Sequence, residues 1–219
     1  MYVTVNGVNI YYECLGEGKE VLFIPGNGTS FKYMLRLAKL LAREYKVYLI
    51  DRRGQGKSTK SCELSYDLNV KDIYEFIQCL NISKPYIIGH SGGATITMML
   101  LERYNNIADK IVLCSGFTNN EVVNSKYIKQ WKLYSKFGFI NSNILNMVLE
   151  AIDITQSLKK IKVKTLVLAG QKDIINKENT QIIVNNIPNA TLKIYAKENH
   201  SSYIVRVKCY EDILDFLHE

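Results

Sequence analysis

Apolar and polar positions follow two different periods along this chain. The segment "YVTVNGVNIYYECLG" alternates β-forming and polar residues on both sides of Asn6-Gly7, a dipeptide that readily supplies the positive φ angles of a tight turn. This pattern predicts a β-hairpin. After it come apolar runs of strand length, separated by helical patterns: "VLFIPG", "YKVYLIDRRG", "PYIIGHS", "KIVLCSG" and "KTLVLAGQKD". Such alternation predicts an α/β fold with a mostly parallel central sheet and helices on both faces.

The spacing of apolar residues also predicts where the helices lie. We expect helices over Phe31 to Arg43, Leu68 to Leu80, Ala94 to Tyr104 and, closing the chain, around Tyr203 to Leu217. The alternation of strands and helices breaks once, between Gly116 and Lys164, where the sequence is helical and aromatic. We therefore predict a single domain over residues 1–219, with a helical cap insertion over residues 117–163.

Ser91 lies in "GHSGGA", at the junction between a predicted strand and a predicted helix. The pattern G-x-S-x-G in that context is typical of a sharp turn that holds the serine at the carboxyl edge of the sheet, and Gly89, Gly92 and Gly93 keep the crowded backbone free of clashes. The alternative is an ordinary helix cap made of serine and glycine. The strand-turn-helix context favours a nucleophile.

A serine nucleophile needs a base, normally a histidine. The chain has three histidines. His90 is adjacent to Ser91 and His218 is the penultimate residue, so both are interpreted as structural or solvated. His200 lies in the loop "KENHSSY" after the last apolar strand and is the predicted base.

The histidine in turn needs a carboxylate that fixes its tautomer. Asp173 follows the strand in "TLVLAGQKDIIN" and is the predicted acid, although an aspartate at that place also suits a helix N-cap. Asp153 and Glu198 are the weaker alternatives. The oxyanion formed by serine attack needs backbone donors, for which we predict the N–H groups of Gly92 and of Asn27 in "FIPGNGTS".

These motifs together resemble the α/β-hydrolase superfamily over nearly the whole chain. The resemblance depends on "YYECLGEGKEVLFIPGNGTS", on "DRRGQGKS" as the family's D-x-R-G-x-G-x-S, on "GHSGGA", on "LVLAGQKD" and on the late "NH". It implies that Ser91 is the nucleophile, Asp173 the acid and His200 the base, and that the segment from Gly116 to Lys164 is the variable cap. The chain departs from many members by having Pro25-Gly26 in place of His-Gly and Gly92 in place of Met.

Composition narrows the function without deciding it. The chain has 28 Lys and Arg against 21 Asp and Glu, a net charge of +7, but no basic block interleaved with aromatics as in a nucleic-acid groove. Its five cysteines are scattered and never at C-x-x-C spacing, which predicts reduced thiols and no metal site. We expect a cytoplasmic protein that needs no cofactor, binds a small-molecule substrate, and has neither nucleic acid nor membrane as a partner.

The predicted function is cofactor-free hydrolysis of an ester or similar acyl bond. Acyl transfer and C–C bond cleavage on the same fold stay open, as does a non-catalytic receptor or scaffold. The insertion is rich in aromatic and large apolar residues: Phe117, Tyr127, Trp131, Tyr134, Phe137, Phe139 and Met147. About half of them are expected to pack on the core, and Phe117 and Trp131 are predicted to contact an uncharged, apolar substrate.

Overall fold

The computed structural model describes residues 1–119, 122–123, 125–138 and 141–219. Within these residues, eight strands form one sheet. The strands are β1 (Tyr2–Val5), β2 (Val8–Leu15), β3 (Glu20–Ile24), β4 (Lys46–Ile50), β5 (Tyr86–His90), β6 (Lys110–Cys114), β7 (Lys164–Lys172) and β8 (Ala190–Asn199). Their order across the sheet is β1-β2-β4-β3-β5-β6-β7-β8.

The N-terminal hairpin is confirmed. Strands β1 and β2 pair antiparallel with Val5 opposite Val8, and the turn residues Asn6 and Gly7 have φ angles of 44° and 75°. Strand β2 also pairs antiparallel with β4, whereas every later neighbouring pair is parallel. The sheet is therefore mostly parallel, as the apolar runs predict.

Helices connect the parallel strands in the described part of the chain. They are α1 (Leu35–Leu41), α2 (Tyr66–Cys79), α3 (Gly92–Arg103), α4 (Ser125–Lys136), α5 (Ser142–Val148), α6 (Lys177–Asn186), α7 (Ser202–Val205) and α8 (Tyr210–His218). Two 3₁₀ helices cover Phe31–Met34 and Thr155–Lys160. Helices α4 and α5 and the second 3₁₀ helix lie in the predicted insertion between β6 and β7, and α4 has no buried residue.

The sheet is buried on both faces. Along β3, Leu22 and Ile24 join an apolar cluster with α2, α3 and α6, whereas Val21 and Phe23 join a second cluster with α1, α7 and α8. Alternate residues of a strand point to opposite faces, so a strand covered on both sides must be apolar throughout. This explains the continuous apolar runs and confirms the expected helices on both faces.

The end of the chain differs from the prediction. Instead of one helix around Tyr203 to Leu217, the structure has the short helix α7 and then α8 from Tyr210. Between them Val207 has a φ of 53°, which a right-handed helix cannot accommodate. The prediction of a single closing helix was therefore wrong. The first predicted helix also differs, since residues Phe31–Met34 are 3₁₀ rather than α-helical.

Candidate active site

The carboxyl ends of the parallel strands carry the predicted site. Ser91 directly follows β5, Ser115 follows β6, Asp173 follows β7 and His200 follows β8. Because these strands run parallel, their carboxyl ends share one edge of the sheet, where open α/β folds bind ligands. Side chains that are far apart in the sequence thus meet at that edge.

Ser91 adopts a strained backbone conformation, with φ 54° and ψ −123°. Non-glycine residues are rarely found at positive φ, and such strain is maintained only when the surroundings fix it. The tight packing around the turn explains the glycines: a Cβ on Gly93 would lie 2.1 Å from the carbonyl oxygen of Ile24. Helix α3 begins at Gly92, immediately after Ser91, as the G-x-S-x-G pattern predicts.

His200 connects Ser91 with Asp173. Its Nε2 lies 2.9 Å from the Oγ of Ser91, and its Nδ1 lies 2.6 Å from the Oδ1 of Asp173. The side chain of Asp173 is 6% exposed and that of His200 is 18% exposed. The structure therefore brings together the three residues that the sequence analysis selected, in a hydrogen-bonded chain at a partly buried position.

Asp173 is held by more than the histidine. Its Oδ1 also accepts a hydrogen bond from the N–H of Ile175 at 3.0 Å, and its Oδ2 accepts one from the hydroxyl of Ser115 at 2.6 Å. Burial raises the pKa of Asp173, but the hydrogen bonds from His200, Ser115 and Ile175 outweigh it, so the pKa lies below the usual range. The carboxylate is thus ionised at neutral pH. Sequence reasoning missed Ser115, whose position directly after an apolar strand was its only signal.

The alternative carboxylates lie elsewhere. Asp153 is exposed and accepts a hydrogen bond from the N–H of Thr155 at 2.9 Å. Glu198 is bound by Lys208, with 2.7 Å between Oε1 and Nζ. In the described structure neither of them contacts His200, which leaves Asp173 as its carboxylate partner.

The side chains of the other two histidines are not bonded to Ser91 or to Asp173 in the described structure. His218 is exposed and its Nε2 lies 2.9 Å from a carboxylate oxygen of Glu44. His90 is buried, with Nδ1 2.8 Å from the hydroxyl of Tyr33 and Nε2 2.9 Å from the carbonyl oxygen of His200. Burial, reinforced by the nearby His200, lowers the pKa of His90 to about 3, so its ring is neutral at ordinary pH.

The loop after β3 lies against the start of α3. The side chain of Asn27 packs so closely on Gly92 that a Cβ there would lie 2.2 Å from the Asn27 Oδ1. The Gly92 N–H is the first of its helix and so has no intrahelical acceptor. Among the described residues, neither this N–H nor that of Asn27 donates a hydrogen bond. The two predicted oxyanion donors therefore belong to segments that pack on each other next to Ser91, and neither N–H has an acceptor within the described structure.

Arg52 forms hydrogen bonds with this loop, a role that sequence reasoning missed. It donates from Nε to the carbonyl of Pro25 at 3.0 Å and from Nη2 to the Oδ1 of Asn27 at 2.8 Å. The Nδ2 of Asn27 donates in turn to the hydroxyl of Tyr66 at 2.8 Å. Burial lowers the pKa of Arg52 to about 10, which still leaves it charged at neutral pH. Its only sequence signal was an arginine in a variable position of the D-x-R-G-x-G-x-S motif.

A cavity of about 890 Å³ opens beside Ser91 and His200. Phe117 and Trp131, the predicted substrate contacts, both line it. Its apolar lining consists of Phe117, Val123, Trp131, Ile144, Leu145, Val148, Ile174, Ile175 and Val205. Tyr127, Tyr134, Phe137 and Met147 do not line it, and Phe139 lies outside the described residues.

In the part of the chain that the structure describes, no group of three or more His, Cys, Asp or Glu side chains is arranged to hold a metal ion. Within the same ranges, no helix has the length and apolar character that crossing a bilayer requires.

Comparison with known proteins agrees with the fold. Residues 19–138 match the family described as having the alpha/beta hydrolase fold. The chain is 23% identical to a putative esterase/lipase of Haemophilus influenzae, over 78% of this chain and 73% of the relative. Its structure resembles the enol-lactonase of Burkholderia xenovorans, with a TM-score of 0.85, 19% identity and full coverage of both chains. It also resembles an esterase of Exiguobacterium antarcticum, with a TM-score of 0.83, 22% identity and coverage of 100% and 99%.

Proposed function

Because the chain belongs to the α/β-hydrolase fold family, we propose that it is a serine hydrolase that cleaves an ester or a related acyl bond of a small, mainly apolar substrate. Ser91 is the nucleophile, His200 the general base and Asp173 the carboxylate that orients it. The N–H groups of Asn27 and Gly92 stabilise the oxyanion. The observation that carries the proposal is the continuous hydrogen-bonded chain from Ser91 through His200 to Asp173, beside a cavity.

The first half of the reaction forms an acyl-enzyme. The Oγ of Ser91 attacks the carbonyl carbon of the ester, and His200 Nε2 accepts the serine proton. Negative charge develops on the carbonyl oxygen, which accepts hydrogen bonds from Asn27 and Gly92. The tetrahedral intermediate then expels the alcohol, which takes the proton from His200.

The second half repeats these steps with water. His200 removes a proton from a water molecule, which attacks the acyl carbon, and the same two N–H groups bind the second oxyanion. Collapse of this intermediate releases the carboxylic acid and returns the proton to Ser91. Asp173 stays ionised throughout and stabilises the positively charged imidazole, in keeping with the lowered pKa of its carboxyl group.

The lining of the cavity supports an apolar substrate. Side chains from the segment between β6 and β7, including Phe117 and Trp131, form one wall, and the loops that carry Asn27 and Ser91 form another. An acyl chain against the apolar wall gains roughly 0.8 kcal/mol for each methylene group removed from water. Relatives with esterase or lactonase names are consistent with this class of substrate.

A fluorophosphonate probe tests the proposal directly. It phosphonylates a serine activated by a general base, and digestion followed by mass spectrometry identifies the modified residue. We expect modification at Ser91, loss of labelling in Ser91→Ala, and retained labelling in Ser201→Ala, a matched control that also lines the cavity. Hydrolysis of 4-nitrophenyl esters should disappear with the labelling.

Two outcomes would contradict the proposal. Labelling of another serine would place the nucleophile elsewhere. A folded protein that neither reacts with the probe nor turns over esters, but retains a ligand tightly, would indicate a binding role instead.

A further inference from the structure

His90 is a buried polar side chain that the mechanism above does not use. It is 4% exposed, directly precedes Ser91, and makes two hydrogen bonds with residues distant in the sequence. A buried imidazole needs partners for both ring nitrogens, and here both are satisfied. One partner, the carbonyl of His200, belongs to the candidate active site itself. The other, the hydroxyl of Tyr33, contacts the loop that carries Asn27.

The chemistry of the partners fixes the direction of each hydrogen bond. The carbonyl oxygen of His200 can only accept, so the Nε2 of His90 carries the proton and donates to it over 2.9 Å. The Nδ1 of the neutral ring is then an acceptor, and the hydroxyl of Tyr33 donates to it over 2.8 Å. The same hydroxyl oxygen accepts from the N–H of Gly26 over 2.9 Å. Each proton in this series of hydrogen bonds is donated to one acceptor, and no atom has to donate a proton that it lacks.

The series joins three separate pieces of the site. Gly26 precedes Asn27 in the loop of the predicted oxyanion donors, His90 precedes Ser91, and the carbonyl belongs to His200 itself. We propose that Tyr33 and His90 are positioning residues, which hold the oxyanion loop and the backbone of the catalytic base at a fixed distance from Ser91. This inference rests on the proposed function, because it assigns the pair a role in that same reaction.

Close packing supports this role. A Cβ on Gly26 would lie 3.2 Å from the Nδ1 of His90 and 3.2 Å from the Cβ of Ser91, so the loop rests directly on the turn that carries the nucleophile. The rings of His90 and His200 are tilted against each other with centroids 4.9 Å apart. A small change in the His90 ring would therefore be transmitted to both the loop and the base.

The loop is held from two sides. Arg52 binds the carbonyl of Pro25 and the side chain of Asn27, and Tyr33 binds the N–H of Gly26. The hydroxyl of Ser115 also lies 3.1 Å from the carbonyl of His200, but its single proton is donated to Asp173, so the donor to that carbonyl is His90 Nε2. Removing the Tyr33 hydroxyl leaves both contacts of Arg52 in place, so we expect the loop to remain folded but to lose its defined position.

Tyr33→Phe is the decisive variant. It keeps the ring but deprives both the Gly26 N–H and the His90 Nδ1 of a partner, and it frees His90 to adopt its other tautomer, which cannot donate to His200. We expect kcat for a 4-nitrophenyl ester to fall about 10- to 100-fold with KM within about twofold of the wild type, because misplaced groups weaken the transition state more than ground-state binding. All rates are normalised to the number of sites titrated with the fluorophosphonate.

A transition-state analogue separates positioning from general damage. An alkylboronic acid forms a tetrahedral adduct with the serine, and its inhibition constant should rise in Tyr33→Phe by a factor similar to the loss of kcat. Tyr74→Phe is the matched control, since Tyr74 packs on Tyr104 at the far end of α3 from Ser91, and it should leave both quantities unchanged. His90→Gln retains a donor and an acceptor and should lose less activity than His90→Leu.

The results distinguish this inference from the function on which it rests. If the wild-type protein is not labelled at Ser91, the proposed function fails first. If Ser91 is labelled but titrated Tyr33→Phe has the wild-type kcat and boronate affinity, the positioning role is wrong. Should His90→Leu fail to fold, Tyr33→Phe still decides the question, because it removes one oxygen atom from a half-buried side chain.

Discussion

At Asp173, burial and hydrogen bonding act in opposite directions on one carboxyl group. Burial favours the neutral form and raises the pKa, whereas donors from His200, Ser115 and Ile175 favour the carboxylate and prevail. A group with this balance accepts a proton from His200 only with difficulty. It is therefore suited to fixing the tautomer of a base rather than to exchanging protons with it.

We expect Asp173→Asn to lower kcat by roughly 10³- to 10⁴-fold, because an amide in place of the carboxylate favours the wrong tautomer of His200. Steady-state kinetics with a 4-nitrophenyl ester provide the measurement. Asp153→Asn changes an exposed carboxylate in the same way and should have wild-type kinetics. Full activity of Asp173→Asn would show that another group orients the histidine.

The burial of His90 in its neutral form can be tested from the pH dependence of stability, without measuring activity. Burial lowers its pKa to about 3, against about 6.5 in an unfolded chain, so between these values the unfolded state binds more protons. The free energy of unfolding should therefore rise with pH in that window. The contribution of neutral His90 to the free energy of unfolding is fully present above about pH 6.5 and is lost progressively as the pH falls toward 3.

Urea unfolding at pH 7.5 and pH 5 measures this effect. We expect the His90 contribution to fall by about 2 kcal/mol between the two values, since one pKa unit corresponds to about 1.4 kcal/mol. His90→Gln should be less stable at pH 7.5 but lose less on acidification, whereas His218→Gln, at an exposed position, should follow the wild type. An equal loss in wild type and His90→Gln would show that His90 is not buried in its neutral form.

At the scale of elements, the segment between β6 and β7 contributes apolar side chains to the cavity beside Ser91. Trp131 is the sole tryptophan of the chain and lines the cavity from α4, while Leu133 and Phe137 of the same region point to solvent, with exposures of 53% and 66%. The same short stretch thus contributes both to the cavity wall and to the outer surface. The expectation that only part of its aromatic residues face the substrate stays a prediction, which the next experiment tests.

The rate of ester hydrolysis should depend on acyl chain length. We expect kcat/KM to rise from acetate to medium-length 4-nitrophenyl esters, as each methylene group is buried, and to fall once the cavity is full. Trp131→Ala enlarges the cavity and should move the optimum to longer chains, whereas Phe137→Ala should leave the profile unchanged. A flat profile in the wild type would show that the apolar wall does not contact the acyl group.

The boundaries of the elements were predictable to different degrees. Strands β3 to β7 were recognisable because each is buried on both faces and therefore continuously apolar. The break between α7 and α8 was not, because Val207 is an ordinary helix-compatible residue whose positive φ is imposed by its surroundings. Local sequence carries no signal for a conformation that tertiary packing selects.

For the whole molecule, the sequence was enough to predict which residues meet in the candidate site, but not the contacts that hold them there. Ser91, Asp173 and His200 were recognisable because strand-end loops of parallel strands must meet. Arg52, Tyr33 and Ser115 were not, because an arginine, a tyrosine or a serine near a strand has many possible partners. Which partner it finds depends on a few ångströms of loop geometry, and pattern alone does not specify that distance.

The polar contacts that hold the N-terminal hairpin were likewise not predictable from the sequence pattern. Arg53 and Asp72 form an ion pair in which both side chains are 3% exposed, and two hydrogen bonds of 2.6 Å join them. Asp72 also accepts from the side chain of Asn6 in the hairpin turn at 3.1 Å. The pair therefore ties together the hairpin, the loop after β4 and helix α2.

Removing one partner of this pair should destabilise the entire fold. In Asp72→Ala the guanidinium of Arg53 is left buried without a counter-charge, which we expect to lower the free energy of unfolding by about 3 to 5 kcal/mol, a large part of the ~5 to 15 kcal/mol available to a typical domain. Asp67→Ala removes an exposed aspartate of the same helix, which pairs with Arg103 at the surface, and should cost at most about 1 kcal/mol. Urea denaturation at pH 7.5 measures both, and kcat per titrated site should be unchanged, since Asp72 lies outside the lining of the cavity. Equal stability of the two variants would show that the Arg53 charge finds solvent when Asp72 is removed, and that the hairpin is held by apolar packing instead.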